Sequence, residues 1–136
     1  KEYLRSRGLD PDKTRAGYMG GDLGKGWNEK LQQSAISLGI LKRTNDTVSP
    51  VFKNVVLFFT NNEKGQVIDL YGRSINPNGT GKHFYLSGNH QGIYPGYPEP
   101  TTRKLILTEC IIDCETLLQR EEVKSEFSTM ALFFIY

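Results

Sequence analysis

Arg103 to Leu118 reads RKLILTECIIDCETLL and constrains this chain more than any other segment. Leu105, Ile106 and Leu107 form a short apolar run of the kind a buried strand uses. The run ends at Thr108 and Glu109. Asp113 follows, ahead of a Thr/Leu/Leu stretch that suits a helix. A carboxylate at the C-terminal end of a buried parallel strand, in the turn into a helix, lies where α/β sheets place their sites. The plainer reading is that Glu109 ends a strand and Asp113 complements a helix N-terminus. The local pattern leaves both open.

The chain has 136 residues, enough for one modest domain or two small subdomains. Hydrophobic residues make up 38% and charged residues 24%, which is ordinary for a soluble globular protein. No apolar run approaches the ~20 residues of a membrane-spanning helix. Nothing at the N-terminus reads as a secretion signal, and the first residue is Lys1 rather than Met, so a piece of a larger protein is expected. Cys110 and Cys114 lie four apart, which does not suggest a disulfide framework; a reducing cytoplasm is the simplest setting.

Charge is unevenly spread. Residues 1–104 hold 15 Lys/Arg against 9 Asp/Glu, a net +6, whereas residues 105–136 hold 2 against 6, a net −4. A basic front and an acidic tail suit a protein that grips phosphate with one part and cations with the other. For a difference of this size, ordinary solvated surface is by itself the better explanation.

Local signals divide the chain. Lys1 to Arg7 reads as a helix stopped by Gly8, and Asp10-Pro11 as a helix restart. Gly17 to Gly26 is glycine-rich and reads as a loop. Asn28 can cap a helix with Leu31, Ala35 and Leu38 on one face, ended by Gly39. Thr44 to Pro50 reads as a linker. Val55–Thr60 and Gln66–Tyr71 are β-rich runs joined by a hairpin signature, Asn61 to Gly65. Asn76 to Gly81 is another turn, His83 to Leu86 a short strand, and Ser128 to Tyr136 a buried parallel strand. The expected fold is therefore α+β: a small helical subdomain (1–43), a mixed β-rich subdomain (44–102), and a terminal βαβ unit (103–136).

In order along the chain, several segments resemble the catalytic core of bacterial-type DNA primases. YLRSRGLD (Tyr3–Asp10) is similar to that family's Y-L-x-x-R-G-L segment, and GKGWNEKL (Gly24–Leu31) to its G-W-x-x-L element. FKNVVLFF (Phe52–Phe59) followed by GQVIDLYGR (Gly65–Arg73) resembles its F-[RK]-x-x-[VI]-[ML]-F and G-x-[VI]-x-x-[FY]-[GS]-G-R pattern. Lys82 through Leu86 resembles its K-Y-L segment, and His90-Gln91-Gly92 its H-K-G. Glu109-Cys110-Ile111-Ile112-Asp113 resembles the E-G-x-x-D of a TOPRIM (topoisomerase–primase) domain, with Cys in place of Gly. The resemblance makes residues 103–136 the start of a TOPRIM-like sheet.

The resemblance implies RNA primer synthesis on single-stranded DNA by a metal-dependent nucleotidyltransferase. It gives Glu109 the catalytic and metal-linked role, with Asp113 in support, and Mg²⁺ or Mn²⁺ as the metal of the parent enzyme. Hard cations take oxygen ligands, and phosphoryl transfer needs its charge neutralised. No D-x-D follows Glu109, so the metal site is expected to be incomplete, with no metal held by this chain alone. Arg73, Lys82 and Lys53 carry over as the residues for template and nucleotide. Val55 and Gln91 stand where the family often has further basic residues, which lowers the expected affinity. The implied partners are a single-stranded DNA template and ribonucleotides. A replicative helicase partner of the parent protein is left open.

A rival reading is a truncated, non-catalytic single-stranded-DNA-binding protein of mobile-element origin. A nuclease or topoisomerase with a TOPRIM domain is more remote, because the upstream resemblance is to primases. Other motifs fall short. Gly20 to Lys25 resembles a phosphate-binding loop but is one residue short, with Gly26 where Ser or Thr is required. His83, His90, Cys110 and Cys114 fit no common zinc spacing. Trp27 suits core packing, while Tyr85, Tyr94 and Tyr97 are open as base-stacking residues.

Overall fold

The computed structural model describes residues 1–76 and 81–132. The architecture is mixed α+β, with antiparallel sheets and one parallel strand pair. The elements run α1 (Glu2–Ser6), β1 (Gly17–Met19), α2 (Glu29–Ser37), β2 (Leu41–Thr44), β3 (Thr47–Pro50), β4 (Val55–Asn61), β5 (Val67–Ser74), β6 (His83–Tyr85), β7 (Leu105–Thr108), α3 (Ile111–Leu118), α4 (Glu121–Lys124) and β8 (Ser128–Ala131). They group into two compact units that are discontinuous in sequence. One unit comprises Lys1–Arg15, Phe58–Asp69 and His90–Tyr136; the other comprises Ala16–Leu57 and Leu70–Asn89. The sequence reading divides the chain at 43 and 102.

One sheet has the order β1-β4-β5-β6, and the second unit holds β1, β6, β4 up to Leu57 and β5 from Leu70. Strand β1 pairs antiparallel with β4, Tyr18 opposite Val56, and β5 pairs antiparallel with β6, Arg73 opposite His83. Met19, Phe52, Val55, Leu57 and Leu70 form its core, with Phe84 and Leu86 packed against them. Asn28 caps α2 as expected, its Oδ1 accepting from the Leu31 amide at 2.9 Å. The expected apolar face of α2 is corrected: Ala35 is buried, but Leu31 and Leu38 are exposed.

Two loop expectations here are also corrected. Gly17–Met19 is an edge strand, because three residues with one buried side chain suffice to add to β4. The expected linker at Thr44–Pro50 folds instead as half of the β2–β3 hairpin, with Thr44 opposite Thr47 and Asn45 at a φ of 53° in the two-residue loop. The rest of the glycine-rich segment is turn. Within it, Gly24 has a φ of +85°, and an added Cβ would lie 2.6 Å from Leu41 Cδ1. Leu41 is fully buried, so the loop closes over it only with glycine at that position.

The first unit contains short elements around one parallel strand pair. β7 and β8 run parallel, Leu105 opposite Ser128 and Thr108 opposite Ala131, with α3 and α4 between them in sequence. Helix α3 buries Ile111, Ile112, Cys114 and Glu115. The expected β4–β5 turn is present and is held by Asn62, whose Oδ1 accepts from the Lys64 and Gln66 amides. The helix restart at Asp10-Pro11 is corrected: Thr14 N donates to Asp10 O and the turn goes no further. Gln119 captures both ends of that turn, accepting from Asp10 N at 2.8 Å and donating to Thr14 Oγ1 at 3.0 Å. Strand β7 is not the buried strand the apolar run suggests, since Leu105 is 43% and Leu107 54% exposed. Alternate residues of a strand share one face, and a two-stranded pair covers little of its own surface. The remainder of the Asn76–Gly81 turn (77–80) and of the last expected strand (133–136) lies outside the described residues.

Candidate nucleic-acid interface and acidic turn

The three basic residues of the sequence reading all fall in the second unit, and backbone bonds draw their segments together. Arg73 lies on β5 opposite His83 on β6, one residue after Lys82. Ser74 N donates to Lys82 O at 3.1 Å, closing that end of the β5–β6 pair. Ile75 N donates to Asn54 O at 3.1 Å, which brings the residue after Lys53 to the same strand end. Asn54 has a φ of 54°, and its side chain accepts from the Tyr18 hydroxyl at 3.0 Å. One end of the sheet thus gathers Lys53, Arg73 and Lys82. Lys53 and Lys82 are exposed, and Arg73 is half-buried.

Gly72 makes this end of the strand pair possible. A Cβ there would meet Phe84 Cβ and Val55 Cγ2 at 3.3 Å each, tighter than side chains ordinarily pack. Glycine lets β6 sit flat on the core while its neighbours Tyr71 and Arg73 face the other side.

That other face carries a cluster the sequence reading did not assemble. Tyr71, buried, bonds through its hydroxyl to His83 Nδ1 at 2.8 Å and packs against Tyr85 with ring centroids 5.4 Å apart. Arg73 Nη1 lies 2.6 Å from His83 Nε2 and 3.3 Å from Nδ1. A donor on the lone-pair axis of one imidazole nitrogen would stand far from the other. Closeness to both places the guanidinium nitrogen over the ring face. Burial, then the charges of Arg73 and Lys82, hold the His83 pKa below its ordinary value, so the ring is neutral at neutral pH. The available signal was alternation: Tyr71, Arg73, His83 and Tyr85 sit at strand spacing of two in paired segments.

Asp69, the carboxylate nearest Arg73 in sequence, meets a different histidine. Its Oδ2 lies 3.3 Å from His90 Nδ1 and accepts from Gln91 N at 3.3 Å. Thr60 Oγ1 donates to Gln91 O at 2.8 Å. These bonds fix the His90-Gln91-Gly92 segment within the first unit.

Glu109 and Asp113 fall in the first unit, apart in the chain's grouping from the basic residues. Glu109 occupies the bend between β7 and α3, and Asp113 the first turn of α3; both are exposed. Thr108 Oγ1 donates to Cys110 O at 3.1 Å and shapes the bend. Below it, Tyr94 binds the next elements together. Its carbonyl accepts from Ala131 N at 2.8 Å, its ring meets Phe58 edge-on at 5.6 Å, and its hydroxyl donates to buried Glu115. Burial, then Glu115, push the Tyr94 pKa up, so the phenol keeps its proton. Tyr94 is 1% exposed and cannot stack on a base; Tyr97 is exposed and Tyr85 half-buried. Burial, then the Glu115 charge, push the Cys114 thiol up to about 12, and Cys110 and Cys114 are both free.

Glu109 and Asp113 offer the oxygen donors that Mg²⁺ takes. Among the described residues, however, no group of three or more His, Cys, Asp and Glu is placed to hold a metal ion. Also among the described residues, no helix is long and apolar enough to cross a membrane.

No protein-family model matches the chain, and no curated protein matches it. Solved structures do. The E. coli primase catalytic core superposes with a TM-score of 0.72 at 23% identity, covering 96% of this chain and 46% of that one. A DnaG primase catalytic domain bound to single-stranded DNA superposes with a TM-score of 0.71 at 23% identity, again over 96% and 46%. A DNA primase domain from Pseudomonas aeruginosa gives 0.74 at 21% identity, over 96% and 45%. The chain has the fold of part of the DnaG primase catalytic core and spans just under half the length of these structures.

Proposed function

We propose that this chain is part of a DNA primase catalytic core and that its basic strand end binds single-stranded DNA. The supporting observation is a fold likeness that runs over 96% of the chain to a primase catalytic domain holding single-stranded DNA. Lys53, Arg73 and Lys82, drawn together at one sheet end, supply the cationic surface. Phosphate neutralisation by Lys and Arg dominates such binding and makes it salt-dependent. In this reading β7, α3 and β8 open a TOPRIM-like sheet, with Glu109 its catalytic and metal-linked carboxylate and Asp113 in support. Mg²⁺ or Mn²⁺ and ribonucleotides belong to the complete parent enzyme. The chain alone binds template without joining nucleotides.

Fluorescence anisotropy with a labelled oligothymidylate tests the binding. Charge reversal by Arg73→Glu and Lys82→Glu together should abolish it with the fold retained by circular dichroism. Unchanged affinity would overturn the assignment. A parallel assay with template, ribonucleotides and Mg²⁺ or Mn²⁺ should show no template-dependent product; product above a no-protein control would make the chain an enzyme in its own right.

A further inference from the structure

We propose that His83 is a positioning residue for Arg73: its imidazole face is the platform that aims the guanidinium at nucleic-acid phosphate. The inference rests on the reading of Arg73 as a phosphate-binding residue. Its own basis is geometric. Arg73 and His83 are direct cross-strand partners on β5 and β6, and Arg73 Nη1 stands within 3.3 Å of both imidazole nitrogens. The ring is itself held, since Tyr71 on β5 bonds to His83 Nδ1 at 2.8 Å and is 3% exposed. A rigid buried phenol therefore fixes the ring, and the ring fixes the guanidinium.

The choice of partner matters for the chemistry. A carboxylate at this position would orient Arg73 equally well but would cancel its charge. An uncharged aromatic ring attracts the guanidinium through its face without itself neutralising it. The groups around His83 favour the uncharged ring. Arg73 faces it from β5, Lys82 precedes it, and the phenols of Tyr71 and Tyr85 flank it. Protonation would set two cations against each other. The contact thus reduces the rotamer freedom that a long arginine side chain loses on meeting phosphate.

The test compares wild type, His83→Ala, His83→Phe, Arg73→Ala and the Arg73→Ala/His83→Ala double variant. Each is titrated with fluorescein-labelled oligothymidylate at fixed salt. His83→Ala should weaken binding roughly two- to fivefold, the scale of one exposed cation–aromatic contact. His83→Phe should restore it, and the double variant should bind no more weakly than Arg73→Ala. If His83→Ala weakens binding by the same factor with and without Arg73, His83 acts independently and the proposal fails. It also fails if a folded His83→Phe does not rescue. A second readout needs no DNA: the Arg73 side-chain ¹⁵Nε resonance should move in His83→Ala and stay near its wild-type position in His83→Phe. An unmoved resonance in His83→Ala overturns the positioning role. Where His83→Ala does not fold, His83→Gln removes the ring in its place. If Arg73→Ala binds like wild type while the resonance behaves as expected, the phosphate-binding reading fails and the Arg73–His83 coupling stands.

Discussion

Tyr94 donates its phenolic hydrogen to Glu115, a carboxylate 2% exposed on α3, two residues beyond Asp113. Glu115 is among the most deeply buried side chains of the chain, and a buried carboxylate without a donor is costly. The same tyrosine binds Ala131 through its carbonyl. Sequence-distant segments are thereby fastened beneath the bend that carries Glu109.

Tyr94→Phe should destabilise the protein by about 1–3 kcal/mol, the cost of leaving a buried acceptor unsatisfied. Urea denaturation measures it. An unchanged midpoint would mean that another donor satisfies Glu115.

Glu109→Gln should leave stability within about 0.5 kcal/mol of wild type, because the residue is exposed in a bend. On the primase reading, the same substitution in a longer protein carrying this chain should abolish primer synthesis. A lowered melting temperature with activity retained would reduce Glu109 to a strand end.

Arg73→Ala should weaken oligothymidylate binding and lower the slope of log K against log salt by about 0.7, one phosphate contact on a single strand. The melting temperature should hold. A protein that melts earlier but binds with the same slope would make Arg73 structural.

The pH dependence has a definite sign. The folded-state pKa of His83 lies below its ordinary 6.5, with burial the first cause and Arg73 the second. Between the two values the unfolded chain binds more protons than the native one. The His83 contribution to stability is therefore present above about 6.5 and is lost as pH falls toward the native value. Melting temperatures from pH 7.5 to 5 should fall less steeply in His83→Phe than in wild type. Parallel curves would show that His83 titrates freely.

Gly24→Ala should cost more than the ~1 kcal/mol typical of point substitutions. The position combines a φ of +85° with a Cβ 2.6 Å from Leu41 Cδ1. Thermal melting checks it, and a stabilised variant would mean that the loop is free to refold.

Much of the local structure was legible in the chain itself. Asn28 is a helix cap wherever a helix follows, and Asn62 to Gly65 closes a hairpin from its own side chain and backbone. The β7–α3 order, with Glu109 in the bend, follows from an apolar run, a polar stop and a helix-forming stretch. These are decided within a few residues, by hydrogen bonds and periodicity that neighbours in sequence can complete.

Contacts between distant segments were decided by the tertiary structure. Gly17–Met19 is a strand only because β4 offers an edge, and Thr47–Pro50 only because Leu41–Thr44 lies opposite. Asp10-Pro11 starts one turn, which Gln119 then captures from across the chain. Asp69 lies four residues before Arg73 in sequence, yet the fold sets it within reach of His90, twenty-one residues on, and sets Arg73 against His83 on the neighbouring strand. The physical reason is the same throughout. Composition specifies which groups must find partners, but which partner each finds depends on the register in which segments far apart in sequence are packed.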